Sequence, residues 1–125
     1  MNEQRLNRIE SAALKRFLEV ECPRVSLPEQ VLGGLCLASR EYTGTGFLTE
    51  IEKAPAAKVF EPGTSLRWSK LGARLDDEKL ECGFLVYVDD GYLTGIEGYT
   101  YGEAWPGDIK SFEIYDVPPF SPADR

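Results

Sequence analysis

The 125-residue sequence predicts a single α+β domain, an N-terminal helix packed on a mostly antiparallel sheet of five or six strands. Three observations predict it. Apolar residues recur at helical spacing over the first twenty positions, and from Leu35 onward short β-forming runs alternate with Gly- and Pro-marked turns. Hydrophobic residues at 42% and charged residues at 28% match a globular domain, and a chain this long buries roughly two thirds of its unfolded surface without staples.

The helix is expected over residues 2–20. Leu6, Ile9, Ala13, Phe17 and Val20 form its stripe, widened by Leu14 and Leu18. Asn2 can cap its start and Pro23 stops it. The opposite face mixes Arg5, Arg8, Lys15 and Arg16 with Glu3, Glu10 and Glu19, too evenly charged for a membrane-surface helix, so docking on the domain's own sheet is preferred. Ser26 and Glu29 have capping-box spacing and can open a short helix through Leu32, ended by Gly33 and Gly34.

The sheet region is expected over 35–116. Residues 35–42 form a strand, 43–46 a turn, and 47–53 its antiparallel partner with Phe47, Thr49 and Ile51 on one face. A loop over 54–64 holds Pro55 and Pro62. A third strand spans 66–75, and 76–79 is a charged connection. The apolar run 84–88 reads as a strand covered on both faces or nearly so. For the turn that follows, Asp89, Asp90 and Gly91 fit a type I turn with a G1 bulge, which sets Val88 against Tyr92, Val86 against Thr94 and Phe84 against Ile96. A two-residue Asp90-Gly91 turn would place Phe84 against Glu97 and is disfavoured for burying a carboxylate beside a phenyl ring. Tyr87, Tyr92, Tyr99 and Tyr101 are expected to cover the sheet with hydroxyls reaching water. A loop over 102–107 leads to a last strand over 109–115, and Pro118, Pro119 and Pro122 mark a flexible tail over 118–125.

Zero histidines removes the usual general base near neutral pH, the Ser-His and Cys-His pairs and the commonest nitrogen ligand for transition metals. Carboxylate chemistry survives, with Glu41, Glu50, Glu52, Glu97 and Glu103 as candidates, but no spacing selects a catalytic pair. The glycines of 43–46 lack the Gly-Lys-Ser/Thr ending of a phosphate loop, and Asp89 and Asp90 lack the distal ligands of a calcium loop. No catalytic residue, cofactor or metal is expected.

Cys22, Cys36 and Cys82 make an odd count without metal-like spacing and fit reduced, packed thiols. No apolar leader follows Met1 and no run is long enough to span a bilayer, so a cytoplasmic protein is expected, with no membrane partner. The net charge is −7. From Asp76 onward twelve carboxylates meet three cations, a balance of −9, which leaves residues 1–75 at +2. Such an acidic half repels phosphate backbones, which argues against nucleic acid and favours a basic protein partner, although solubility alone also explains negative charge.

Two stretches carry a resemblance. Glu41, Thr43, Gly44, Gly46 and Phe47, followed by Asp90, Gly91, Tyr92, Leu93, Glu97, Gly98, Thr100, Tyr101, Trp105 and Pro106, resemble a group of small, uncharacterised bacterial proteins with E-x-T-G-x-G-F and D-G-Y-L-x-x-x-E-G-Y-T-Y motifs. The resemblance covers residues 40–115. It brings no activity, and by analogy such acidic proteins look like immunity proteins or passengers of mobile gene cassettes. It sharpens one question, since Glu41 and Glu97 would sit at neighbouring strand ends beside Thr43, Thr100 and Tyr101, and with Trp105 would line a shallow polar-aromatic cleft. Glu97 reads either as a strut for the turn backbone or as a ligand residue.

The sequence thus points to a non-catalytic acidic binding protein, an immunity-type inhibitor or adaptor, using Glu41, Thr43, Tyr92, Glu97, Tyr99, Tyr101 and Trp105. The alternative is a small-molecule binder or carboxylate enzyme with a cleft near Glu41, Glu97 and Trp105. A homodimer through an uncovered sheet face or edge strand is compatible with either.

Overall fold

A computed structural model describes residues 5–76 and 80–117. The candidate cap Asn2, the last three residues of the charged connection and the proline-marked tail lie outside them.

Helix α1 spans Arg8–Glu21 and starts later than expected, because a cap closer to its apolar stripe wins. Asn7 is extended, its side chain accepts from the Glu10 amide at 3.0 Å, and the Glu10 carboxylate accepts from the Asn7 amide at 2.9 Å. This reciprocal capping box satisfies two of the donors a helix start leaves unpaired. Its buried face carries Ile9, Ala13, Leu14, Phe17 and Leu18. Val20, expected in that stripe, is 42% exposed, and Glu10, expected on the polar face, is wholly buried. The rest of the stripe is as expected, and two polar groups at the ends of the helix find partners. Arg40 donates to Glu10 through Nε at 2.8 Å and Nη2 at 2.5 Å, and Thr49 Oγ1 adds a third bond at 2.5 Å. At the C-terminal end of α1, Glu21 accepts from the Trp68 indole at 2.8 Å.

Helix α2, Pro28–Gly33, forms where predicted but without the Ser26 box. Leu27 is its N-cap and supplies no side-chain bond, since Pro28 occupies the first helical turn, where a missing N–H costs nothing.

Six strands follow: β1 (Leu37–Tyr42), β2 (Gly46–Ile51), β3 (Leu66–Leu75), β4 (Leu80–Asp89), β5 (Tyr92–Thr100) and β6 (Phe112–Asp116). They form one antiparallel sheet in the order β1-β2-β5-β4-β3-β6. The expected face of Phe47, Thr49 and Ile51 is buried under α1, together with Phe84, Val86, Leu93, Ile96, Leu71 and Ala73. Phe17 packs edge-on against Trp68 at 5.0 Å. Each large apolar side chain buried here contributes about 1.5–3 kcal/mol. Arg16 grips Asp116 of β6 through two bonds, at 2.9 and 2.7 Å, and Glu10 holds β1 and β2, so α1 is tied to both edges of the sheet. The last strand begins three residues later than predicted because Asp76 accepts from the Lys110 and Ser111 amides and fixes that segment as a turn partner.

Neither expected hairpin register is observed. The turn is the two-residue one, with Asp90 at φ 53° and Gly91 at φ 84°, and Asp89 pairs with Tyr92. Thr94 is then an extra residue between Leu93, which faces Val88, and Gly95, which faces Tyr87. Beyond this bulge Phe84 faces Gly98 and Glu97 faces Leu85, so Glu97 stays out of the core. The run 84–88 is covered on one side: Phe84, Val86 and Val88 are buried while Leu85 and Tyr87 are half-buried on the other.

Candidate functional site

The two-residue period of a strand sends alternate side chains to the face away from α1. From the registers, this outer face carries Ser39 and Glu41 on β1, Leu48 and Glu50 on β2, Glu97 and Tyr99 on β5, Glu81, Leu85 and Tyr87 on β4, Arg67 and Arg74 on β3, and Glu113 and Tyr115 on β6. Among the described residues no helix or strand is layered over it, and its leucines and tyrosines are half-buried rather than buried.

Its organisation rests on glycines. Gly83 faces Tyr99, Gly95 faces Tyr87 and Gly72 faces Tyr115 directly across the strands. A Cβ at Gly83 would lie 2.7 Å from the Tyr99 ring, and one at Gly72 would lie 3.0 Å from the Tyr115 ring. Missing side chains on one strand thus make room for rings from the next.

Two tyrosines form matching units. The Tyr115 hydroxyl donates to Glu81 Oε1 at 2.8 Å while the Arg74 guanidinium lies 4.6 Å from its ring centre. The Tyr87 hydroxyl donates to Glu97 Oε1 at 2.8 Å while Arg67 lies 5.5 Å from its ring. Burial, followed by the hydrogen bond to Glu81, pushes the Tyr115 phenol up to about 12, and burial followed by Glu97 raises Tyr87 as well. Tyr99 is raised by burial and then by the nearby Glu97 charge, and Tyr101 packs edge-on against it at 5.9 Å. The expectation that these hydroxyls all reach water is corrected for Tyr87, which spends its proton on Glu97.

The structure separates the predicted site residues. Glu41, Glu97, Tyr99 and Tyr101 gather on or beside the outer face, with Leu48 standing between Glu41 and Glu97 in one cross-strand row. Thr43 lies exposed in the β1–β2 turn, its amide bonded to the Gly46 carbonyl. Tyr92 is at the hairpin end of β5, away from Tyr99, with Lys53 at 5.6 Å from its ring. Trp105 is on the other side of the sheet. Its ring meets Phe47 edge-on at 5.1 Å, and its amide is held by the Gly44 carbonyl. Glu41, Glu97 and Trp105 therefore do not line one cleft. Trp105 instead borders a groove of about 250 Å³ with Tyr42, Phe47, Ile9 and Phe112, at the start of α1. The expected bond from Glu97 to turn backbone is not observed; its carboxylate accepts from the Tyr87 hydroxyl instead.

Tyr115, Arg67 and Arg74 escaped sequence reasoning as part of this face. Seven positions separate Arg67 from Arg74, so strict alternation would have put them on opposite sides; the bulge between Trp68 and Leu71 brings both to the outer face, and the β3–β6 pairing that sets Tyr115 opposite Gly72 is long-range. The signal available was the recurrence of Gly and Tyr across predicted neighbours. No group of three or more Cys, Asp or Glu among the described residues could hold a metal ion, and no helix there is long and apolar enough to cross a membrane. No family model matches the chain, and no curated protein or solved structure matches it.

Proposed function

We propose that this chain is a non-catalytic acidic binding protein that holds a basic protein partner on the outer face of its sheet, as an immunity-type inhibitor or adaptor in the bacterial cytoplasm. The observation that carries this is the character of that face, an uncovered sheet surface of tyrosines and leucines where five glutamates meet two arginines. Tyrosine gives large contact area at low entropic cost, and carboxylates steer a cationic partner. The three strands β1, β2 and β5 contribute Glu41, Glu50 and Glu97 without a Lys or Arg on the same side.

The test is capture from a lysate of the native host at low and moderate salt. The expected result is one basic protein, released by salt and lost with Glu97→Gln, while Trp105→Ala, on the opposite side, retains it. Loss with Trp105→Ala and retention with Glu97→Gln would move the function to the groove at Trp105 and sink the outer-face reading.

A further inference from the structure

Resting on the basic-partner reading, we infer that Tyr99, with the free Oε2 of Glu97, is a receptor for an arginine side chain of that partner. The outer face contains the template twice. Tyr115 gives its hydroxyl to Glu81 and its ring to Arg74, and Tyr87 gives its hydroxyl to Glu97 and its ring to Arg67. In each unit a tyrosine lies opposite a glycine, beside a carboxylate, with a guanidinium of the same chain near its ring. Tyr99 repeats the first two features. It faces Gly83 on β4 and Gly46 on β2, so no side chain crowds it from either neighbouring strand, and Glu97 precedes it by one full strand repeat on the same face. It lacks the third, because no described cation lies over its ring.

The chemistry of the guanidinium favours arginine over lysine, and the surroundings of Tyr99 suit it. Glu97 uses Oε1 for the Tyr87 hydroxyl, which leaves its second oxygen without a hydrogen bond among the described residues. A planar guanidinium can stack on a ring while its fork reaches a carboxylate, which the compact, strongly hydrated ammonium of lysine does poorly. Leu48 and Leu85 flank Glu97 from both neighbouring strands and offer apolar cover to an arginine stem. The Tyr101 ring, edge-on to Tyr99, forms a wall on the remaining side.

The experiment uses the full chain, isotopically labelled, titrated with a blocked Gly-Ser peptide carrying arginines and with the same peptide carrying lysines. Binding is read from amide shifts. The arginine peptide is expected to bind about fivefold or more tightly than the lysine peptide, with the largest shifts around Tyr99. Tyr99→Leu should abolish that preference and Tyr99→Phe should keep it. Gly83→Ala should weaken it without changing any charge, because its methyl group displaces the far end of the Tyr99 side chain. Thermal melts of the variants check that the sheet is intact. Equal binding of both peptides to the outer face, indifferent to Tyr99→Leu, would overturn the arginine receptor and leave the basic-partner reading standing. Absence of outer-face shifts with either peptide would overturn both.

Discussion

At the scale of single residues, the tyrosines show what a side chain's surroundings decide. That Tyr87, Tyr99 and Tyr101 would cover a sheet follows from their type and position, but the partner of each hydroxyl depends on strand register. Tyr115 is the sharpest case. Burial and the Glu81 carboxylate both oppose its phenolate, so its folded pKa of about 12 stands above the ordinary value near 10. The neutral phenol is the form the fold prefers. Its stabilising contribution is therefore complete below about pH 10 and is lost as pH rises from there through about 12. A phenolate absorbance titration should show Tyr115 ionising late, and Tyr115→Phe should remove that late component and flatten the fall in stability over the same window. Removal of an early component instead would mean that the Glu81 contact does not exist in solution.

Between residues and the whole lie the elements, and here the sequence was informative unevenly. The third strand was legible to its ends, as was the inward face of Phe47, Thr49 and Ile51, because alternation is a local property. The central hairpin was not. A single extra residue, Thr94, separates the observed register from the rejected one, and the rejection weighed a Phe84–Glu97 clash that the bulge removes. Helix α1 teaches the same lesson. Asn7 and Glu10 stand at capping-box spacing, yet Glu10 was placed with the solvent-facing charges because its partners Arg40 and Thr49 lie thirty and more residues away. Of the site, the acidic and tyrosine-rich character was legible, and the sheet's division of Glu97 from Trp105 was not. The burial of Glu10 has a measurable consequence. Glu10→Ala strips the carboxylate from a buried pair, unpairs the Thr49 hydroxyl and opens the cap of α1, so chemical denaturation should show a loss of about 3–5 kcal/mol. A loss under 1 kcal/mol would show that water reaches Arg40 and Thr49 and that the latch between α1 and β1 is open.

For the whole molecule, the sheet acts as a partition. One side is spent on α1 and the core, and the other is left with tyrosine, leucine and an excess of carboxylates. A second copy of the same chain is the natural rival for such a surface, since a twofold contact needs only one self-complementary patch. Charge decides against it. Each outer face brings Glu41, Glu50, Glu81, Glu97 and Glu113 to the contact against Arg67 and Arg74, and both arginines already lie over their own tyrosines. Two such faces brought together would desolvate carboxylates that no cation meets, an arrangement that costs more than the leucines at its centre return. The chain should therefore scatter light as a monomer of 14.0 kDa at low salt, where repulsion between like faces is least screened, and remain one as salt is raised. Twice that mass, abolished by Leu48→Glu, would assign the outer face to self-association. The tyrosines and glutamates would then be buried against their own copies, and no surface of this composition would be left to receive a basic partner.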